Sequence, residues 1–259
     1  MTTKPEFWMG EHPFAFDDAT VAQLYRHRPP YPVGAFDVLA DLVIGPRVVL
    51  DAGTGTGAIA RHLASRVERV DALDPAAHMI AEGKQLEHGD DPRIRWILGN
   101  AETGPLSGPY GLITTGQSLH WMDWEVVLPR FAGALAPGAR LAIVDDPEAP
   151  QPWSDELRPI LIRHSIHRGK WHQFELIGEL VRLGLFAIEG ELTLEAEPIE
   201  QPLEEYIASF HATSSLARHR IGDDEADAFD REVRELLAAH PTVVRRVAAR
   251  IVWGRPVAA

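Results

Sequence analysis

A glycine-rich turn between a short β-branched strand and a helix is the feature that most constrains this chain. The strand and turn read VVLDAGTGTG, and the helix continues as AIARHLASR. Gly53, Gly55 and Gly57 follow the strand directly, where glycine permits a tight turn and lets a ligand approach backbone amides. Strand, turn and helix in this order predict a βαβ unit that holds a nucleotide-like ligand at the turn.

Strands and helices alternate after this turn. The segments RVDALDP, RIRWILGN, YGLITTGQ and PGARLAIVDD have the pattern of strands, and AAHMIAEGKQLE and WEVVLPRFAGAL have the pattern of helices, although Pro129 favours a kink or a late start in the second helix. Helices of this length between strands indicate a parallel sheet. We therefore expect an α/β fold with a Rossmann-like, doubly wound, mostly parallel sheet and a helical lid.

The later part of the chain mixes strands with helices. FELIGELVRLGL and DDEADAFDREVRELLAAH predict helices, FAIEGELTLEAEPI predicts a strand, and VVRRVAARIVWGRPVA predicts a closing strand. We expect a single domain over residues 1–259. Its core is predicted at about 34–147, 174–200 and 241–256. Its lid is predicted at about 1–33, 148–173 and 201–240.

Composition and charge exclude several classes of partner. With 25 basic and 38 acidic residues the net charge is −13, which disfavours a nucleic-acid partner because such binding depends on neutralising phosphates. Cysteine is absent, so there is no thiolate nucleophile, and the histidines of RHSIHRGKWH lack the further ligands of a metal site. No apolar run approaches the ~18–20 residues of a membrane-spanning helix. We expect a cytoplasmic monomer or homodimer that acts on a small molecule, with no bound metal.

Two acids at strand ends bear on the ligand. Asp51 ends the first strand, where its carboxylate would repel a pyrophosphate and attract a cationic group. Asp74 ends the second strand and is placed to accept hydrogen bonds from a ribose diol, which NAD and S-adenosylmethionine both contain. Residues 53–58 also satisfy the dinucleotide pattern G-x-G-x-x-A. An NAD(P)-dependent oxidoreductase is therefore an alternative, although the sequence offers no obvious Tyr/Lys or Cys catalytic set.

Four stretches taken together resemble the class I S-adenosylmethionine-dependent methyltransferases. They are VVLDAGTGTG, ALDPAAHMI, GNAE and GLITTGQSLHWMD, and the similarity covers about residues 20–145. Within the family the chain is most similar to the small-molecule group that includes trans-aconitate methyltransferase-like proteins. The resemblance implies S-adenosylmethionine as cofactor and a small-molecule acceptor. It implies O- or N-methylation, with C-methylation also open, and it leaves a non-methylating protein of the same fold as a second alternative.

The resemblance also implies which residues hold the cofactor. Asp51, Gly53 and Gly55 would surround its methionine part, Asp74 would hold the ribose hydroxyls, and Pro75 or Met79 would flank the adenine. The full set of predicted cofactor contacts is Asp51, Gly53, Thr54, Gly55, Asp74, Pro75, Met79, Asn100, Ala101, Gln117, Tyr25 and Arg28. Tyr25 and Arg28 belong to YRHRPPYP, a segment that folds over the cofactor in the related proteins, and they are candidates for the methionine carboxylate or for the acceptor.

The stretch TTGQSLHWMDW places polar side chains directly after an apolar strand. Ligands of open α/β sheets bind outside the carboxyl ends of the strands, so this loop is expected to meet cofactor and acceptor. His120 is the candidate catalytic base, because imidazole takes protons near neutral pH. Its alternative role is to pack beside Trp121 and fix the loop, and Asp123 is expected to cap the next helix. The predicted acceptor contacts are His120, Trp121, Trp171 and His172.

Overall fold

The sheet predicted from the glycine turn is present in the computed structural model, which describes residues 16–146, 150–167 and 174–257. Within these ranges it has seven strands: β1 Val48–Ala52, β2 Arg69–Asp74, β3 Ile94–Leu98, β4 Tyr110–Gly116, β5 Leu135–Asp145, β6 Phe186–Pro202 and β7 Thr242–Pro256. Their order across the sheet is β3-β2-β1-β4-β5-β7-β6. β1 to β5 are parallel, whereas β7 runs antiparallel to both of its neighbours.

Helices connect these strands and cover both faces of the sheet. They are α1 Ala19–Leu24, α2 Val33–Leu42, α3 Ala60–Leu63, α4 Ala77–Gly83, α5 Trp124–Ala134, α6 Ser154–His164, α7 Leu176–Arg182, α8 Leu203–His211, α9 Arg218–Ile221 and α10 Asp223–Leu236. This confirms the Rossmann-like, mostly parallel fold. The strand order reverses between β1 and β4, and a ligand crevice is expected at such a switch point.

Two apolar cores fix the sheet between its helices. On one face, Phe131 of α5 and Leu180 of α7 pack over Ile113 of β4, and all three are fully buried. On the other face, Leu39 of α2 and Leu63 of α3 belong to a second fully buried cluster. Because the central strands are covered on both sides, their sequences are continuous apolar runs rather than alternating ones.

The helices α8, α9 and α10 form an insertion between β6 and β7. They share a separate apolar cluster with α6, in which Tyr206 of α8 and Phe229 of α10 are fully buried. The Phe229 ring lies edge-on to Phe210 at 5.5 Å and to two buried histidines, His211 at 5.6 Å and His164 at 5.8 Å. The insertion therefore has its own packed centre. The assignment of the core and lid ranges stays a prediction.

Some predicted element boundaries differ from the observed ones. The helix after the glycine turn is short, because α3 ends at Leu63 and a 3-10 turn continues to Arg66. α5 begins at Trp124 with Pro129 inside it, so of the two alternatives, a kink or a late start, the late start is wrong. Pro129 has no N–H, so the helix lacks the hydrogen bond that this position would otherwise donate to the carbonyl of Glu125. Asp18 caps α1, since its Oδ1 accepts from the amides of Thr20 and Val21 at 2.9 and 3.0 Å.

Candidate active site

A cavity of about 930 Å³ opens at the carboxyl ends of β1, β2, β4 and β5. All twelve predicted cofactor contacts line it, from Tyr25 and Arg28 before the sheet to Gln117 after β4. This volume falls in the range of small-molecule and cofactor sites. The sheet topology therefore brings together residues that are almost a hundred positions apart in the sequence.

The glycine turn after β1 forms one wall of the cavity. Gly53 has φ +67°, and a Cβ atom there would lie 2.5 Å from the Cβ of Ser118, so the position requires glycine. Ser118 is itself fixed, because its hydroxyl donates to the carbonyl of Ala52 at 2.7 Å. Gly55 has φ +57°, and its α-carbon faces open space. The turn is thus tight at its first glycine and accessible at its second.

Asp51 lies at the base of the turn and is almost fully buried, with 2% of its surface exposed. Its carboxylate accepts hydrogen bonds from the hydroxyls of Thr54 at 2.5 Å and Thr114 at 2.8 Å. Burial raises the pKa of Asp51, and the two hydroxyls partly offset that effect. The residue places a carboxyl group against the cavity, and its ionised form would suit a cationic ligand atom.

Asp74 ends β2 and points into the same cavity. One carboxylate oxygen accepts from the amide of Gly55 at 2.7 Å, and the other accepts from the amide of Ala76 at 2.8 Å. Burial raises the pKa of Asp74 to about 6, with a further increase from the charge of Asp51. Each carboxylate oxygen has two lone pairs, so the group retains acceptor capacity for hydroxyls of a ligand.

The next part of the wall comes from Pro75, Met79, Asn100 and Ala101. Met79 is 2% exposed and packs with Ala76, Val21 and Ala22 in a small cluster that brings α1 over the cavity. The side chain of Asn100 accepts from the amide and hydroxyl of Thr103 at 2.8 and 2.7 Å, which fixes its own loop.

Aromatic rings form the roof. Phe16 lies edge-on to Tyr25 at 6.3 Å and to Trp121 at 5.9 Å, and all three line the cavity. Phe16 and Tyr25 also pack against the cluster of α1 and α4. Edge-on aromatic pairs add specific geometry to apolar burial. The roof therefore joins the start of the described chain to the loop after β4.

The segment 25–32, which we call the strap, crosses the cavity between α1 and α2. Arg28 lies 3.6 Å from the carboxylate of Asp146 at the end of β5, measured from Nη2 to Oδ2. The Tyr31 hydroxyl lies against Gly116 at the end of β4. Burial raises the pKa of Tyr25 and raises that of Tyr31 further, so both phenols remain protonated donors at neutral pH.

The loop after β4 carries two of the four predicted acceptor contacts, and only one of these two lines the cavity. Gln117 has φ +51°, lines the cavity and donates from its backbone to Val144 at 3.1 Å. Trp121 also lines the cavity, whereas His120, likewise a described residue, is not part of its wall. The His120 ring packs against Trp121 with 4.9 Å between centroids. Asp123 precedes α5 but makes no side-chain capping bond.

Several wall residues were not predicted from the sequence. They include Phe16, Tyr31, Phe36, Arg61, His62, Ser118 and Asp146. Asp146 and Tyr31 could have been found, because Asp146 follows a strand and Tyr31 lies within RPPYP. Arg61 and His62 gave no signal, since α3 is recognised only by its apolar spacing. Trp171 and His172 lie outside the described residues.

Among the residues that the structure describes, no group of three His, Asp or Glu side chains is arranged to hold a metal ion. No helix in the same ranges is both long enough and apolar enough to cross a membrane.

Comparison with known proteins identifies the family. A model described as a methyltransferase domain matches residues 49–138. An uncharacterized methyltransferase of Mycobacterium tuberculosis is 30% identical over 235 residues, which are 87% of this chain and 86% of that protein. A solved structure from Anaeromyxobacter dehalogenans, provisionally named a type II methyltransferase, has a TM-score of 0.60 at 24% identity and covers 88% of this chain and 97% of its own. A second solved structure, from Bacillus halodurans and provisionally named a methyltransferase, has a TM-score of 0.53 at 16% identity. The match covers 87% of this chain and 99% of that one.

The chain belongs to the class I S-adenosylmethionine-dependent methyltransferases. Its cofactor is S-adenosylmethionine, and the chemistry of the wall fits this group. Asp74 offers acceptors that would suit a diol, Asp51 offers a buried carboxyl group that would suit a sulfonium, and Gly55 leaves open space at the turn. Two buried acids at the turn would oppose the pyrophosphate of a dinucleotide.

Proposed function

We propose that this methyltransferase acts on a small molecule, by O- or N-methylation, with C-methylation as the less favoured chemistry. The observation that carries the proposal is the roofed cavity. Phe16, Tyr25 and Trp121 close over a space of about 930 Å³ that also has to accommodate the cofactor. A macromolecular acceptor would need an open approach to the carboxyl ends of the strands, and the roof and strap oppose such an approach.

When bound, S-adenosylmethionine supplies an electrophilic methyl group on a sulfonium. The residues of the turn are proposed to hold it, with Asp51, Gly53, Thr54 and Gly55 at the methionine part and Asp74 at the ribose. Pro75, Met79, Asn100 and Ala101 are proposed to hold the adenine. Because methyl transfer is an in-line displacement, the main contribution of the protein is to fix the acceptor in line with this group.

The acceptor is proposed to lie between the strap and the loop after β4. Tyr25, Arg28 and Gln117 line this part of the cavity, and the ion pair of Arg28 with Asp146 offers both signs of charge. Such a wall suits a polar acceptor. A carboxylate acceptor of the trans-aconitate type would need no base, because it arrives as a nucleophile.

For His120 we propose a positioning role, with general-base catalysis as the alternative. Its ring packs on Trp121, which is part of the wall, while His120 itself is not. Fixing the Trp121 ring would shape the acceptor side without a proton transfer. The two roles differ in the kinetic parameter that a substitution changes.

The proposal is tested by incubating the protein with S-adenosylmethionine and a panel of small carboxylates, phenols and amines. Accumulation of S-adenosylhomocysteine with one class, together with loss of this activity in Asp74→Ala, would support it. Asp41→Ala, an exposed acid on α2, is the matched control and should retain full activity. Turnover with a protein or nucleic acid and with none of the small molecules would contradict it.

A further inference from the structure

The strap is held by contacts to several different elements of the fold. Arg26 forms an ion pair with Glu82 of α4, and the Nδ1 atom of His27 lies 3.5 Å from a carboxylate oxygen of Glu205 in α8. The backbone carbonyl of His27 accepts a hydrogen bond from Nε2 of Gln201 at 2.8 Å. Gln201 is in β6, beside the start of the insertion, and is distant in sequence from every predicted site residue.

Gln201 is held in place from its other end. Nη1 of Arg245 in β7 donates to its Oε1 at 3.3 Å, and the Arg245 guanidinium lies over the Tyr206 ring at 5.0 Å. Gln201 and Arg245 are 7% and 8% exposed, and Tyr206 is fully buried. The amide group is therefore enclosed between β7, α8 and the strap.

The chemistry of these neighbours requires an amide at position 201. Arginine can only donate and a backbone carbonyl can only accept, so the bridging group has to present an acceptor to Arg245 and a donor to His27. A carboxylate would satisfy Arg245 but would place an oxygen against the His27 carbonyl. An apolar side chain would remove both hydrogen bonds, and the loss of hydrogen bonds between buried groups is costly.

We infer that Gln201 is a positioning residue for cofactor binding. It acts through the strap, because it fixes the backbone of His27, and the adjoining residues Tyr25 and Arg28 line the cavity. The bond joins the strap to β6 directly before the insertion, so β6 holds the strap in place over the cavity. This inference rests on the proposed location of the cofactor under the strap.

The test compares Gln201→Glu with the wild type. The variant keeps an acceptor for Arg245 but loses the bond to the His27 carbonyl, so its midpoint of thermal unfolding should fall by about 2–4 °C, the shift expected for one lost hydrogen bond in a chain of this size. The strap amides of Tyr25, Arg26, His27, Arg28 and Tyr31 should exchange faster with deuterium in the ligand-free protein. The dissociation constant for S-adenosylhomocysteine should increase roughly 10-fold, as expected for one lost buried hydrogen bond.

Two further variants define the outcomes. Thr242→Glu adds the same charge at an exposed position of β7, one residue before Val243, which pairs with Gln201. It should change neither the deuterium exchange of the strap nor the affinity for S-adenosylhomocysteine. Gln201→Met removes both polar contacts and should accelerate strap exchange even if Gln201→Glu fails to fold. Unchanged strap exchange in both position 201 variants would overturn the inference, and so would faster exchange with unchanged affinity. A wild type that binds no S-adenosylhomocysteine would instead contradict the proposed function. Deuterium exchange of the strap amides would still show whether the Gln201–His27 bond fixes the strap.

Discussion

The amide of Gly55 donates to the carboxylate of Asp74 across 2.7 Å, so the turn after β1 is joined directly to the end of β2. The second oxygen of Asp74 is held by the amide of Ala76 at 2.8 Å. One buried carboxylate therefore fixes the shape of the glycine turn and also faces the cavity. Changing its charge should alter the site more than the fold.

Cofactor affinity should depend on pH through Asp74. Burial raises its pKa to about 6 in the ligand-free protein, so the group is mainly protonated at about pH 5 and mainly ionised at about pH 7. The ionised form is the better acceptor for a ribose diol. The affinity for S-adenosylhomocysteine should therefore increase as the pH rises through about 6 and change little above 7, measured by titration calorimetry.

The control for this pH dependence is Asp74→Asn, which has no proton to release. Its affinity should be lower and should lose the step near pH 6. Asp145, whose pKa is also raised to about 6, is retained in this variant. A step that persists in Asp74→Asn would assign the dependence to Asp145 or another group.

The glycines of the turn should differ in their tolerance of a side chain. Gly53→Ala places a Cβ at φ +67° and 2.5 Å from Ser118, so it combines backbone strain with a clash. We expect a loss of about 2–4 kcal/mol in the free energy of unfolding. In Gly55→Ala the added Cβ meets open space, so only the strain of the positive φ lowers the free energy of unfolding, by about 1–2 kcal/mol. Urea unfolding of the two variants measures the difference.

Gly133→Ala is the matched control for these substitutions. Gly133 is an exposed residue of α5 with open space around its α-carbon, and alanine there should stabilise the protein by about 0.5–1 kcal/mol. Equal losses in Gly53→Ala and Gly55→Ala would show that Ser118 moves aside.

Substitution of the loop after β4 should separate the roles of His120 and Trp121. Trp121→Ala removes a ring from the wall and should weaken S-adenosylhomocysteine binding roughly 10-fold. His120→Gln should change kcat less than about 10-fold, because its ring supports Trp121 and is not itself part of the wall. A loss of about 100-fold or more in kcat with unchanged affinity, the effect of removing a general base, would assign catalysis to His120.

The central sheet and the cofactor side of the site were predictable because both depend on local patterns. VVLDAGTGTG combines an apolar strand, positive-φ glycines and a strand-end acid, and each has a physical requirement that only a few residue types meet. Asp51 and Asp74 were identified by their positions at strand ends. The topology then brings strand ends together at one edge of the sheet, so predicted residues from separate stretches meet in one cavity.

Contacts that depend on long-range packing were not predictable in this way. Gln201 gives no motif, and its role depends on β6 and β7 bringing it to the strap. The positive φ of Gln117 is not evident from a glutamine, and neither is the position of His120 outside the cavity wall. Likewise, Phe36 and His62 stack at 4.4 Å only because α2 packs on α3.

The measurement that tests the central claim most directly is titration calorimetry of S-adenosylmethionine and S-adenosylhomocysteine, with NAD and NADP in parallel, on the wild type and Asp74→Ala. Both adenosyl ligands should bind the wild type, and the substitution should weaken them roughly 10- to 100-fold, the range for hydrogen bonds to a charged group. The nicotinamide cofactors should not bind. Binding of NAD or NADP in place of the adenosyl ligands, or adenosyl binding unaffected by Asp74→Ala, would contradict the account.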